Sequence, residues 1–578
     1  MSSRRGIALV LSLILLAVLV SGAGLVLLTL FSNNAPPISG NSTLVLRIGA
    51  PLAEIEPSDV LQLLRTTPTL RSTVDLIRRA KTDGRIKALV VRPVASGALW
   101  AQMQEIHDAL LDFKTSGKPL VAYLESGGAG EYYVATAADR VVLMPAGQLD
   151  VTGMTFYEVF FRGALDKIGV VPDLLHIGEY KTASNTFTEK GFTAAHREMT
   201  RAMNRDWYDE FVRAIARGRK ITEEAARAAI DGGPYLADGA KKAGLVDELG
   251  YEDQLDDTAP LKGTQLIDDG QYLRSAPPAP AATGGRIALL YAVGTITGGQ
   301  SSFDSLTGPV LGSDTFTEWI RKVRVDPGIR AVVVRIDSPG GSAIASEVIW
   351  RELMLTRDVK PVVVSMGDVA ASGGYYIAAP AHVIVAQPGT LTGSIGVVTG
   401  KFVVQGALDK LGVGTGAVSE GRFADMNSPF RPFSPDERAR VEEQMRMTYE
   451  LFVKRVADGR QQTTARIDAV AQGRVWTGHQ ARELGLVDEL GGLDLAIRRA
   501  AEKAKLDPTK NVSLVVYPGK RSLYDLVSRQ FGSSSSSTAG LDLVFRRSDV
   551  RAAQSAASIL QLFRRGEPLA VLPNVFVH

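Results

Sequence analysis

One long segment of this 578-residue chain is written twice. Leu165-Asp166-Lys167-Ile168-Gly169-Val170 returns as Leu408-Asp409-Lys410-Leu411-Gly412-Val413. Gly244-Leu245-Val246-Asp247-Glu248-Leu249-Gly250 returns unchanged as Gly485-Leu486-Val487-Asp488-Glu489-Leu490-Gly491. The spacing between copies is nearly constant, so a whole domain of roughly 210–220 residues is duplicated, not a short solenoid unit. Within a copy, β-branched runs alternate with helical segments. Strands at Ala331–Ile336, Pro361–Ser365 and Val383–Ala386 are separated by helices at Ser342–Leu355 and Ala371–Ala379. This alternation predicts an α/β fold, with a parallel sheet and flanking helices in each tandem domain. Ser32–Gly40, with Pro36-Pro37, reads as a tether, and the proline-rich stretch Ser275–Gly285 as a linker. The repeats are placed at residues 42–254 and 286–530. An extension at 531–578 opens near the serine run Ser533–Ser537 and holds a candidate short helix at Leu560–Phe563; no role for it follows from the sequence.

Ahead of the first copy, Gly6–Phe31 is an uncharged apolar run directly behind Arg4 and Arg5. About 20 such residues cross a bilayer core, and the run exceeds the stretch of about 7–15 residues in a cleaved signal. It predicts one transmembrane signal anchor at 6–31, in contact with membrane lipid. The arginines stay cytoplasmic and the body lies on the far side of the membrane. A cleaved signal ending at Ser21-Gly22-Ala23 is the alternative, and it too exports the body. The 65 basic and 62 acidic residues are dispersed, with a net charge of +3, which argues against a nucleic-acid footprint. The absence of cysteine excludes disulfides, a thiolate nucleophile and a zinc–cysteine site. No metal or cofactor is assigned.

The copies differ where chemistry is expected. The second reads Ala370-Ala371-Ser372-Gly373-Gly374-Tyr375-Tyr376, and the first Gly128-Ala129-Gly130-Glu131-Tyr132-Tyr133; matching the tyrosine pairs sets Ala129 against Ser372. Further on, Gly178-Glu179-Tyr180-Lys181-Thr182 in the first copy stands against Glu420-Gly421-Arg422-Phe423 in the second, so Lys181 faces Arg422. A serine kept in one half and a lysine in the other is the pattern of one catalytic pair assembled from both. Ser372 alone reads more simply as a helix N-cap, and Lys181 alone as a surface lysine. Burial beside Leu175, Ile177 and Tyr180 would lower the lysine pKa towards that of a usable base. Asp337-Ser338-Pro339-Gly340-Gly341-Ser342 follows a strand and opens a helix. Its glycine pair can turn a backbone N–H towards an oxyanion, and the first copy has Val94-Ala95-Ser96-Gly97-Ala98 there instead. Ser394, in Leu391-Thr392-Gly393-Ser394-Ile395-Gly396, can hold a lysine by hydrogen bonding. His382, His176 and His196 compete for the role of base.

These motifs, together with Gly473-Arg474-Val475-Trp476-Thr477-Gly478, resemble the signal peptide peptidase A (protease IV) family in its long tandem-domain form, over nearly the whole chain to about residue 530. The resemblance implies a ClpP/crotonase-like fold and a serine endopeptidase with a Ser-Lys dyad. Ser372 would be the nucleophile, Lys181 the general base and Ser394 the serine that positions the lysine. The N–H groups of Gly340 or Gly341 and of Gly373 would form the oxyanion hole. It implies signal peptides and other apolar peptides as substrates, and a homotetramer facing the membrane. One departure is that Gly178-Glu179-Tyr180-Lys181-Thr182 stands where the family more usually has Gly-Lys-Tyr-Lys-Ser. A crotonase-type acyl-CoA hydratase or isomerase could use similar glycine turns, although an exported body would not meet CoA esters. A non-catalytic membrane scaffold is the other rival.

Overall fold

A computed structural model of the chain describes residues 38–49, 52–55, 68–94, 100–257, 260–275, 282–304, 308–519, 568–571 and 576–577, with positions 16, 20–22 and 24. Most of the expected anchor and all of Leu560–Phe563 lie outside the described residues. Among the described residues no helix is long and apolar enough to cross a membrane.

Both copies lay down a parallel sheet in the same order. In the first, the strands run Glu248–Leu249, Arg140–Leu143, Leu120–Leu124, Ile86–Pro93, Ser42–Ile48 and Gln265–Asp268. In the second, the matching series is Glu489–Leu490, Val383–Ala386, Val362–Ala371, Ile329–Ser338, Arg286–Val293 and Ser513–Tyr517. The first sheet thus draws on residues past 254. Central strands such as Ala331–Ile336 are buried on both faces, which is why they read as continuous apolar runs and not as alternation. Helices Leu70–Thr82 and Trp100–Lys114 cover the first sheet, and Ser313–Val325 and Ala343–Arg357 the second. The architecture is therefore mixed α/β with parallel sheets, built twice. Each copy also carries a 26-residue helix, Ala194–Arg219 and Pro435–Arg460, entered through a Thr193 or Ser434 cap.

One expectation needs correction. The strand foreseen over Pro361–Ser365 runs on to Ala371, and the following helix begins only at Gly373. Val369, Ala370 and Ala371 pair with Leu391, Thr392 and Gly393, and that ladder holds an alanine pair extended against its own helical preference.

A third sheet ties the copies together. Val171–Ile177 from the first copy pairs antiparallel with Val397–Val403 from the second over seven residue pairs. The sheet continues through Leu569–Val571 to Gly340–Ser342 and then Thr295–Thr297. A buried ion cluster adds a second tie. Arg335 reaches both carboxylate oxygens of Glu54 at 2.7 and 3.0 Å and the Glu105 carboxylate at 3.0 Å, each across the boundary between copies.

Candidate active site

Lys181 follows the strand Val171–Ile177 through a turn at Gly178 and enters a short 3-10 turn at Thr182–Ser184. The turn is pressed onto the second copy, with the Tyr180 N–H donating to the Gln472 carbonyl at 2.8 Å. Gly473 lies against the lysine backbone at φ +75°; a methyl group there would meet the Lys181 Cα at 2.5 Å. Only glycine fits so close a crossing. This contact aims the lysine side chain into the second copy.

There Nζ lies 2.8 Å from Ser372 Oγ, 3.0 Å from the Ser394 carbonyl oxygen and 3.0 Å from Ser394 Oγ. Lys181, Ser372 and Ser394 are all fully buried. Desolvation holds the Lys181 amine well below the ordinary lysine pKa. A neutral amine has a lone pair that accepts the Ser372 O–H while its own N–H groups face the Ser394 oxygens. Both serines carry strained backbones, Ser372 at φ +55° and Ser394 at φ +49°. The Ser372 side chain makes no cap bond to its helix, so the N-cap reading does not describe it. Its N–H is tied to the Gly393 carbonyl at 2.7 Å, and the Ser394 N–H to the Arg474 carbonyl at 2.7 Å. These backbone bonds hold the two serine-bearing turns beside the amine.

The glycines foreseen for an oxyanion lie beside this pair. A Cβ on Gly340, whose φ is +99°, would fall 2.7 Å from the Gly373 nitrogen. The Gly340 N–H is turned to Ser338 Oγ at 3.2 Å. Of the other foreseen donors, Gly341 pairs with Ala570 of the strand Leu569–Val571, and Gly373 opens the helix behind Ser372. The histidines sit elsewhere. His382 Nδ1 accepts the Val362 N–H, His176 is exposed with Nδ1 beside the Gly178 carbonyl, and His196 is buried against Glu158 at 2.7 Å. Arg422, the counterpart of Lys181, is exposed and paired with Asp436.

Sequence reasoning missed the charged layer beneath the glycine turn. Two residues beyond Arg335, Asp337 accepts the Val369 N–H at 3.0 Å, and Asp368 accepts the Gln102 N–H at 2.9 Å. Burial and the nearby Glu54 carboxylate push Asp337 up to about 7; burial and Asp337 push Asp368 well up. The available signal was a single arginine inside the apolar strand Val332-Val333-Val334-Arg335-Ile336.

The family model described as peptidase family S49 matches residues 112–262 and 355–507, one span in each copy. The chain belongs to peptidase family S49. Among its curated relatives, the chloroplastic serine protease SPPA of Arabidopsis thaliana is 34% identical over 449 residues, covering 76% of this chain and 66% of that protein. Protease 4 of Salmonella typhi is 36% identical over 474 residues, covering 79% of this chain and 75% of its own. Protease 4 of Haemophilus influenzae is 33% identical over 460 residues, with 75% and 73% covered. As an S49 member the chain is a serine peptidase, and the Ser372–Lys181 contact is a nucleophile–base geometry suited to that chemistry.

Proposed function

We propose that Ser372 is the nucleophile and Lys181 the general base of a single active site shared by the two copies. The observation that carries this reading is the fully buried 2.8 Å contact between a desolvated amine and a serine hydroxyl. Lys181 takes the Ser372 proton as Oγ attacks a peptide carbonyl. The N–H groups of Gly341 and Gly373 receive the oxyanion, and Lys181 returns the proton to the leaving amine. Water then hydrolyses the ester by the same route. Ser394 positions the amine and supplies no proton of its own.

The substrates in this reading are signal peptides and other uncharged apolar peptides. The apolar walls near the site, Phe187, Val398 and Ala183, support such a preference. The body, organised as tandem ClpP/crotonase-like repeats over 42–254 and 286–530, works on the exported side of the inner membrane. Residues 6–31 anchor it. Exposed Ile168, Leu411 and Val413 occupy the matching turn of both copies and suit contact with further copies in a tetramer. The test is hydrolysis of a leucine-rich signal peptide by the full chain, Ser372→Ala and Lys181→Ala, separately and mixed. Activity in the wild type alone is expected. Full turnover by Lys181→Ala would remove the lysine from the mechanism, and activity regained on mixing would place the pair across chains.

A further inference from the structure

The helix Ala194–Arg219 of the first copy is joined to the segment Gly473–Gln480 of the second by a row of contacts. Arg474 Nη1 donates to Glu198 Oε1 at 2.7 Å, the Val475 N–H donates to Met199 Sδ at 3.2 Å, and His479 Nδ1 lies 2.9 Å from Asp206 Oδ1. The first of these stands one residue from the crossing of Gly473 over Lys181. There the Arg474 guanidinium carbon lies 4.5 Å from the Tyr180 ring centre and 4.5 Å from the Trp476 ring centre. Both distances are inside the range of about 6 Å at which an aromatic face attracts a cation. The rings are fixed at their far ends. The Tyr180 hydroxyl donates to Glu198 Oε2 at 3.1 Å, and Trp476 Nε1–H to the Val470 carbonyl at 2.9 Å. The Glu198 side chain is 57% exposed and that of Arg474 only 18%. An ion pair with so exposed a carboxylate contributes little, so the rings supply most of the hold. The duplication supplies a control. Counting back from the shared runs Gly244–Gly250 and Gly485–Gly491, Gly473 aligns with Gly232, Trp476 with Tyr235 and Arg474 with Gly233. The glycine and the aromatic ring recur, but the arginine stands only in the copy that receives the lysine.

We propose that Arg474 is a positioning residue for Lys181, clipping the lysine turn onto the second copy through the Tyr180 ring and keeping water from the amine. The inference rests on the Ser372–Lys181 reading above. Tyr180 immediately precedes Lys181, and its N–H is tied to the Gln472 carbonyl at 2.8 Å. That backbone bond fixes where the turn lands, and the ring on Arg474 closes its outer flank. Arg474 also reaches the site through its own backbone, because its carbonyl accepts the Ser394 N–H at 2.7 Å. One residue therefore holds both the lysine turn and the serine beside the amine. Lys181 is fully buried, and burial is what depresses its amine. A gap at Tyr180 would admit water, which stabilises the ammonium, so the amine would keep its proton to higher pH. The other titratable groups of these turns are His176, Glu179, Tyr180 and Glu198. The Arg474 contact, with the Tyr180 hydroxyl, holds the Glu198 carboxyl below the usual carboxylate range, so it stays ionised while the lysine titrates.

The experiment is the pH dependence of kcat/KM for an uncharged leucine-rich peptide, with the full chain as wild type, Arg474→Leu, Arg474→Lys, Tyr180→Leu, Tyr180→Phe and Lys181→Met. Arg474→Leu and Tyr180→Leu are expected to move the acid limb upward by about one pH unit, a part of the shift of up to about 3–5 units that full burial produces. kcat/KM then falls about tenfold below the limb and approaches the wild type above it. Arg474→Lys is expected to move the limb likewise, because a flexible ammonium does not replace a planar group over the rings. Tyr180→Phe keeps the ring and is expected to leave the limb in place. A uniform loss at every pH with the limb unmoved would make the contact merely structural and overturn the proposal. A limb that moves in Arg474→Leu and stays in Arg474→Lys would assign the effect to charge and overturn it too. Tyr180 is half-buried, so Tyr180→Leu carries the test where an arginine variant does not fold. Lys181→Met with the wild-type limb would overturn the lysine reading itself, whatever the arginine variants do. A wild type without turnover would overturn both.

Discussion

An unfolded lysine titrates near 10.4, and burial places the folded Lys181 well below that. Between the two values the unfolded chain holds a proton that the folded chain has lost. The stability tied to this residue therefore rises with pH through that window and is lowest below the folded value. In the proposed mechanism the neutral amine is the base, so activity follows the same sign: kcat/KM should climb with pH through the folded Lys181 pKa and level off before 10.4. Lys181→Met is expected to lower kcat/KM by roughly 10²–10⁴-fold, the usual worth of a general base. It should also flatten the alkaline rise in melting temperature. Peptidase assays and thermal melts at several pH values check both; an unchanged pH–rate profile in the wild type on lowering pH would exclude lysine as the titrating base. Ser394→Ala should leave a weaker effect, because the Ser394 carbonyl still faces the amine after Oγ is removed. A fall of about tenfold in kcat with KM unchanged is expected for the loss of one positioning hydrogen bond.

The elements that aim these groups are turns crossing between the copies, and they are sensitive to one added methyl. Gly473→Ala places a Cβ 2.5 Å from the Lys181 backbone at a φ that disfavours any side chain. The lysine turn must move, and a displacement of about 1 Å is enough to cost about 10²-fold in rate. The expected result is that loss in kcat/KM with the fold retained by circular dichroism; full activity would show that the turn is not what sets the lysine. How much of this was legible varied with the range of the cause. The duplication, the alternating strands and helices and the Ser372–Lys181 pairing could be read, because repeated words and a reciprocal loss are written in the residues themselves. The strand reaching Ala371 could not, since its extension is imposed by pairing with Leu391–Gly393 and not by local preference. The role of Gly473 was equally hidden: a glycine in the second copy is required by a lysine in the first, and nothing near it in sequence says so. Leu569–Val571 is a short apolar run in a region without periodicity, and only the edges it pairs with make it a strand.

For the molecule as a whole, the junction between copies rests on charge as well as on the shared sheet. Arg335 satisfies Glu54 and Glu105 in a buried layer, with Ser365 Oγ and the Met366 carbonyl completing its bonds. Arg335→Leu would leave two carboxylates of the first copy buried against the second without the guanidinium they bond. Breaking a buried pair in this way costs about 3–5 kcal/mol, measurable as a shift in the denaturant midpoint. Restoration of most of that stability by the triple change with Glu54→Leu and Glu105→Leu is expected; an unshifted midpoint in Arg335→Leu would mean the layer does not hold the copies together. The division of the site has a consequence in time as well as in space. Ser372 lies 191 residues after Lys181, so during synthesis at about 5–20 residues per second the amine precedes its serine by roughly 10–40 s. For that interval the first domain can fold while holding no nucleophile, and the second, when it appears, has no base until the two dock. In the proposed shared site, hydrolysis is thus switched on by docking and not by the folding of either half, which spares the emerging chain from its own chemistry until its apolar strands are already put away.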